Sequence, residues 1–159
     1  MNKNIIVFMV TLFVFFGCSS KNKEVLIKQS EFEQSVISTQ KARLVLADKS
    51  TLLVMATYLN NLGKYKENKT DTIALSLYYS PSGEDNRTLD FPKVFIDNEE
   101  ATVIELEKND EVINYLPTTN SWSEYYLVMG KKNVDFKKLS VSVEVSPFSR
   151  AELTLQKDF

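Results

Sequence analysis

From Lys41 onward apolar side chains recur at every second position, and this period restricts the fold more than any other feature of the chain. Leu139, Val141, Val143 and Val145 alternate with Ser140, Ser142 and Glu144, and Ala151, Leu153 and Leu155 alternate with Glu152, Thr154 and Gln156. Leu75, Leu77 and Tyr79 share one face, with Ser76 on the other. Successive side chains of a strand point to opposite faces, so these stretches are strands that bury one face in an antiparallel sheet. Leu52 to Leu59 is apolar on both faces, as a central strand would be, and Ala42–Ala47, Val94–Ile96, Thr102–Leu106 and Tyr125–Met129 bring the total to about eight strands.

Turn-forming residues separate them at Asn60-Asn61-Leu62-Gly63, Pro81-Ser82-Gly83, Asp97-Asn98, Pro117-Thr118-Thr119-Asn120 and Gly130-Lys131-Lys132-Asn133. Asp110 to Leu116 has room for one helical turn before Pro117 stops it. No strand–helix alternation follows Lys41, which argues against a parallel α/β fold. The pattern predicts a mainly β chain: an antiparallel two-sheet sandwich with Greek-key connections, immunoglobulin-like in architecture, with a small β-barrel as the alternative. The true immunoglobulin signature is absent, since there is no cysteine pair and Trp122 falls late in the chain. Lys157 falls on the face of Ala151, Leu153 and Leu155, where an outer-membrane barrel would need an apolar residue. Before the strands, Ser30-Glu31-Phe32-Glu33 has the spacing of a capping box, and Phe32 and Val36 are four apart. A short helix over Glu31–Thr39 is expected, too short to be stable unless it docks on the rest of the chain.

The first residues follow a different logic. Met1-Asn2-Lys3-Asn4 is weakly basic, and of the 12 residues from Ile5 to Phe16 only Thr11 is not apolar. A bilayer core needs about 20 apolar residues, so this run is too short to span and suits the apolar region of an export signal. Gly17 is small, and Cys18-Ser19-Ser20 turns abruptly polar. The run Phe15-Phe16-Gly17-Cys18 resembles the lipobox of bacterial lipoproteins, although the family's usual leucine and small residue are replaced by Phe15 and Phe16. The resemblance implies diacylglycerol on the Cys18 sulfur, cleavage between Gly17 and Cys18, and often acylation of the new amine. The competing reading is an uncleaved N-terminal anchor with an incidental cysteine. Ser19 is not the aspartate that keeps many lipoproteins at the inner membrane, so the resemblance points to the outer membrane. The expected organisation is a signal peptide over 1–17, a lipidated N-terminus and tether over 18–29, and one sandwich domain over 30–159.

Composition narrows the chemistry. Removing Lys3 with the leader leaves 18 basic residues against 21 acidic ones, a net charge of −3. No basic face is evident for nucleic acid, and Arg43, Arg87 and Arg150 are too dispersed in sequence to announce a phosphate clamp. Histidine is absent altogether. Histidine-activated nucleophiles, His-ligated zinc and the ordinary neutral-pH acid–base residue are therefore excluded. Cys18 is the only cysteine, so no internal disulfide can form.

Three constellations remain. Asp97, Glu99, Glu100, Glu105, Glu107, Asp110 and Glu111 form a dense acidic region. It lacks the spacing of a calcium loop, and solvated turn and edge-strand charge accounts for it better. Trp122, Tyr125 and Tyr126, with Tyr78-Tyr79, are a candidate ligand platform, since aromatic faces stack on sugars. Tyr125 and Tyr126 must point to opposite faces of a strand, so at least one belongs to the core. No serine stands in a nucleophile elbow or a Ser-x-x-Lys run. The sequence therefore predicts a non-enzymatic envelope lipoprotein without metal or cofactor, held to the membrane through Cys18, whose sandwich docks an envelope protein partner. A glycan- or small-ligand-binding module is the alternative, and a carboxylate-based or Ser–Lys hydrolase the more remote one.

Overall fold

A computed structural model describes residues 30–83, 88–132 and 137–157. In chain order the strands are β1 (Thr39–Val45), β2 (Thr51–Tyr58), β3 (Thr70–Ser80), β4 (Lys93–Ile96), β5 (Glu99–Glu100), β6 (Thr102–Leu106), β7 (Ser123–Lys131), β8 (Lys138–Glu144) and β9 (Ala151–Gln156). They pair antiparallel into two sheets, ordered β1-β2-β3-β7-β6 and β5-β4-β8-β9. Neither sheet closes on itself, so the chain is the sandwich and not the barrel.

The period-two pattern is what joins the layers. Leu52, Val54, Ala56 and Tyr58 of β2, Ile73, Leu75 and Leu77 of β3, and Tyr126 and Val128 of β7 face the other sheet. That sheet answers with Val94, Ile96, Leu139, Val141, Val143, Ala151, Leu153 and Leu155. Each fully buried aliphatic side chain contributes about 1.5–3 kcal/mol, so this contact dominates the stability.

A second, smaller core lies on the opposite face of the five-stranded sheet. Ala74 and Tyr125 are covered there by Leu59, Leu62, Val112, Ile113 and Leu116. Three short 3-10 turns, Leu59–Asn61, Gly63–Tyr65 and Glu111–Tyr115, carry most of the cover. Asp110 caps the last of them, its carboxylate accepting the Val112 N–H at 3.0 Å, and the turn ends just before Pro117. With this cover Tyr125 and Tyr126 are both buried, Tyr125 here and Tyr126 between the sheets.

Four local features differ from the sequence expectation. Residues 30–37 are helical (α1), and Thr39 already belongs to β1, because its N-terminal end pairs with Thr57. Glu99–Glu100 adds a ninth strand too short to show a period; Asp97 and Asn98, at φ 49° and 69°, form the two-residue turn that leads into it. Gly130 does not turn the chain but lies inside β7. A Cβ at Gly130 would stand 2.8 Å from Ile96 Cδ1 and 3.3 Å from Ile96 Cβ, so the glycine is a notch that admits a side chain of the opposite sheet. Finally, α1 docks the other way round. Ser35 and Ser38 are buried, whereas Phe32, Val36 and Ile37 are 56%, 48% and 63% exposed.

One end of the main core is polar. Lys157 continues the inward face of Ala151, Leu153 and Leu155, and its ammonium meets the buried Asp71 carboxylate of β3 at 2.8 Å. The Tyr58 hydroxyl donates to the same carboxylate at 2.6 Å. Burial, and then the bond to Asp71, push the Tyr58 pKa far above the ordinary tyrosine value.

Candidate functional site

Gly17 and Cys18 lie outside the described residues. The aromatic residues singled out from the sequence are not brought together. Tyr126 is 4% exposed in the core between the sheets, its hydroxyl donating to Glu124 at 2.9 Å and its ring edge-on to Phe91. Burial and the neighbouring Glu124 carboxylate raise its pKa well above the ordinary value. Tyr125, 3% exposed, faces the second core. A stacking platform of three rings is therefore not assembled.

Trp122 is the exception, with 79% of its surface exposed at the end of the loop that enters β7. Tryptophan is usually well covered in a folded chain, so an exposed one on a fixed loop is informative. The loop is held by its own polar groups. The Tyr125 hydroxyl donates to the Asn120 carbonyl at 2.9 Å and accepts from the Asn120 N–H at 2.8 Å. The Asn120 side-chain oxygen accepts the Trp122 N–H at 2.8 Å, which closes an Asx turn. Lys108 reaches across from the end of β6 and donates to the Ser121 carbonyl. The ring is thus presented by a braced backbone rather than by a loose tip, and the buried half of the brace is Tyr125. Sequence reasoning paired Tyr125 with Trp122 as a second binding ring; the structure makes it the support. The available signal was Asn120 two residues before Trp122, the spacing of an Asx turn.

Beside the loop is an open groove of about 470 Å³, lined by Glu105, Leu106, Glu107, Lys108, Ser123, Glu124 and Tyr125. Its three carboxylates face water, whereas a general acid of the glycosidase kind sits in an apolar enclosure. Ser123 Oγ is buried and makes no hydrogen bond, and the Lys108 ammonium is directed to the Ser121 carbonyl. Of the remaining acidic residues, Asp97 accepts the Ser140 N–H at 3.0 Å, Asp110 caps its turn, and Glu111 pairs with Lys64 at 2.6 Å. Among the described residues no three acidic groups come together as a metal site would require. No helix among them is long and apolar enough to cross a membrane.

The second exposed feature is the outward face of α1. Ser35 Oγ donates to the Tyr115 carbonyl at 2.8 Å, and Asn61 Nδ2 donates to Ser38 Oγ at 3.0 Å. Thr39 Oγ1 donates back to the Ser35 carbonyl at 2.7 Å. Polar contacts therefore fix the helix to the domain and leave its apolar residues outside. No family model, characterised protein or solved structure matches this chain, so the functional reading rests on these residues alone.

Proposed function

We propose that this chain is a lipid-anchored protein of the bacterial envelope, non-enzymatic, whose sandwich docks a protein partner through the Trp122 loop. The anchor rests on Phe15-Phe16-Gly17-Cys18, the residues that resemble a lipobox. With Ser19 following the cysteine, the outer membrane is the favoured address. The docking reading is carried by one observation: Trp122 is 79% exposed on a loop whose backbone is pinned by Tyr125, Asn120 and Lys108. Tryptophan is enriched among the few residues that dominate binding energy at protein interfaces. A braced loop also loses little conformational freedom when it docks, so more of the contact energy appears as affinity. A glycan platform is less well supported, because Tyr125 and Tyr126 are buried and Trp122 alone of these three rings is exposed.

The test places a photo-crosslinking residue at Trp122, and at Thr154 on the far sheet as a control, in cells that make the full chain. One discrete protein adduct at 122 and none at 154 is the expected result. A chain that stays in the membrane fraction yet gives no adduct at 122 would sink the docking reading. Separately, Cys18→Ala should leave the chain folded but release it from the membrane fraction; retention through an uncleaved leader would remove the lipoprotein reading.

A further inference from the structure

Seven large apolar side chains are exposed among the described residues, and Phe32, Val36 and Ile37 are three of them. The other four, Val45, Phe91, Ile104 and Trp122, belong to separate strands and loops. Phe32 and Val36 are one helical turn apart, so α1 presents a small apolar face to solvent, with Glu33 within it. Ser35 and, just after the helix, Ser38 are committed to the domain at Tyr115 and Asn61, so the helix cannot roll to bury this face without breaking those bonds.

We infer that this face of α1 is a lipid-contacting surface, which lays the domain on the membrane that holds Cys18. The inference rests on the anchor reading above and adds an orientation to it. The position of the helix carries the argument. Only 11 residues lie between Cys18 and Ser30. Whatever their path, the Cα steps from Cys18 to Ser30 reach no further than about 43 Å, which bounds how far the start of α1 can stand from the anchored lipid. Those residues also bring Lys21, Lys23 and Lys28 against the single acid Glu24, and the apolar run Val25-Leu26-Ile27. As sequence, that stretch has the basic and apolar composition that suits an anionic lipid interface. Tethering multiplies the effect, because a weak insertion becomes intramolecular once the lipid on Cys18 is in the bilayer.

The test uses the lipidated full chain in vesicles of phosphatidylethanolamine and phosphatidylglycerol. Acylation of Cys18, the only natural cysteine, leaves an introduced thiol as the single labelling site. Val36→Cys and Thr154→Cys each receive an environment-sensitive fluorophore, and quenching by spin-labelled lipid is read out. The expected result is several-fold stronger quenching at position 36 than at 154, with a blue shift only at 36. Equal, water-like signals at the two positions overturn the inference, and so does protection at 36 that appears in cells but not in vesicles, since a protein would then be the cover. The intact mass separates the two readings. A chain without diacylglycerol refutes the anchor, whereas a lipidated chain with a water-exposed position 36 refutes only the contact face.

Discussion

The Asp71 carboxylate and the Lys157 ammonium meet at 2.8 Å, each almost fully buried, and tie the central strand of one sheet to the end of the edge strand β9 of the other. Their partner Tyr58 donates to the second oxygen of Asp71 and holds its ring 6.0 Å from the ammonium. Breaking a buried pair from one side leaves a charge without its counter-ion and costs about 3–5 kcal/mol, while removing both charges costs far less. Lys157→Met alone should therefore destabilise the chain by about 3–5 kcal/mol in urea unfolding. Adding Asp71→Asn, which keeps an acceptor for Tyr58, should restore part of that loss. A double variant whose loss equals the sum of the two single losses would mean that the pair is not coupled.

The same carboxylate sets an alkaline limit. Tyr58 is held protonated by burial and by its bond to Asp71, and Tyr126 by burial and by Glu124, so both have folded-state pKa values above the unfolded one. A raised pKa means that the folded chain keeps a proton the unfolded chain releases. The stabilisation is complete below pH of about 10, the unfolded tyrosine value, and is lost as pH rises above it. Unfolding free energy measured between pH 9 and 12 should fall with a slope that Tyr58→Phe reduces by about one proton. An unchanged slope would show that Tyr58 ionises equally in both states.

What the sequence made legible was the part governed by period and turn chemistry. The alternation at Leu139–Val145 and Ala151–Gln156 located two strands of one sheet, and Asp97-Asn98 marked a hairpin that the structure contains. The short turn before Pro117 also stands where the chain stops helical structure. What stayed hidden depends on contacts between distant residues. Lys157 reads as a break in an apolar face until Asp71, 86 residues away, is placed opposite it. At least one of Tyr125 and Tyr126 was expected in the core; Tyr126 lies between the sheets, and the second core, built from residues 59–62 and 112–116, buries Tyr125 as well. The helix at 30–37 was legible as a helix, but not which side it would turn inward, because two serines outcompete three apolar residues through bonds to Tyr115 and Asn61. At the candidate site, the sequence singled out Trp122 but not the brace beneath it.

Gly130 offers a test of the packing between the sheets. Its missing side chain leaves room for Ile96, whose Cδ1 would lie 2.8 Å from an added Cβ. Gly130→Ala should cost about 1–3 kcal/mol through overpacking. Ile96→Val removes the clashing Cδ1 and on its own costs about 0.5–1.5 kcal/mol. The two changes together should cost less than their sum, because the smaller valine relieves the crowding created by alanine. Strict additivity would place the cost of Gly130→Ala in the β7 backbone instead of in the contact with Ile96.

Trp122 is the only tryptophan in the chain, so intrinsic fluorescence reports on the candidate docking loop without a label. At 79% exposure its emission should be that of an indole in water, and its motion should be restricted by the bonds that Tyr125 and Asn120 make to the loop backbone. Tyr125→Phe keeps the ring in the second core but removes both hydroxyl bonds to Asn120. Losing a part-buried acceptor and donor of this kind costs about 1–3 kcal/mol, and the loop should loosen while the sheets stay intact. Time-resolved anisotropy should then show faster indole motion with little change in the circular dichroism of the strands. The same variant should bind the partner captured at position 122 more weakly, because the freedom gained by the loop has to be given up on docking. Unchanged anisotropy would show that Lys108 and the Asx turn hold the loop without Tyr125. Faster motion with unchanged binding would show that the rigidity of the loop is not what makes Trp122 a contact.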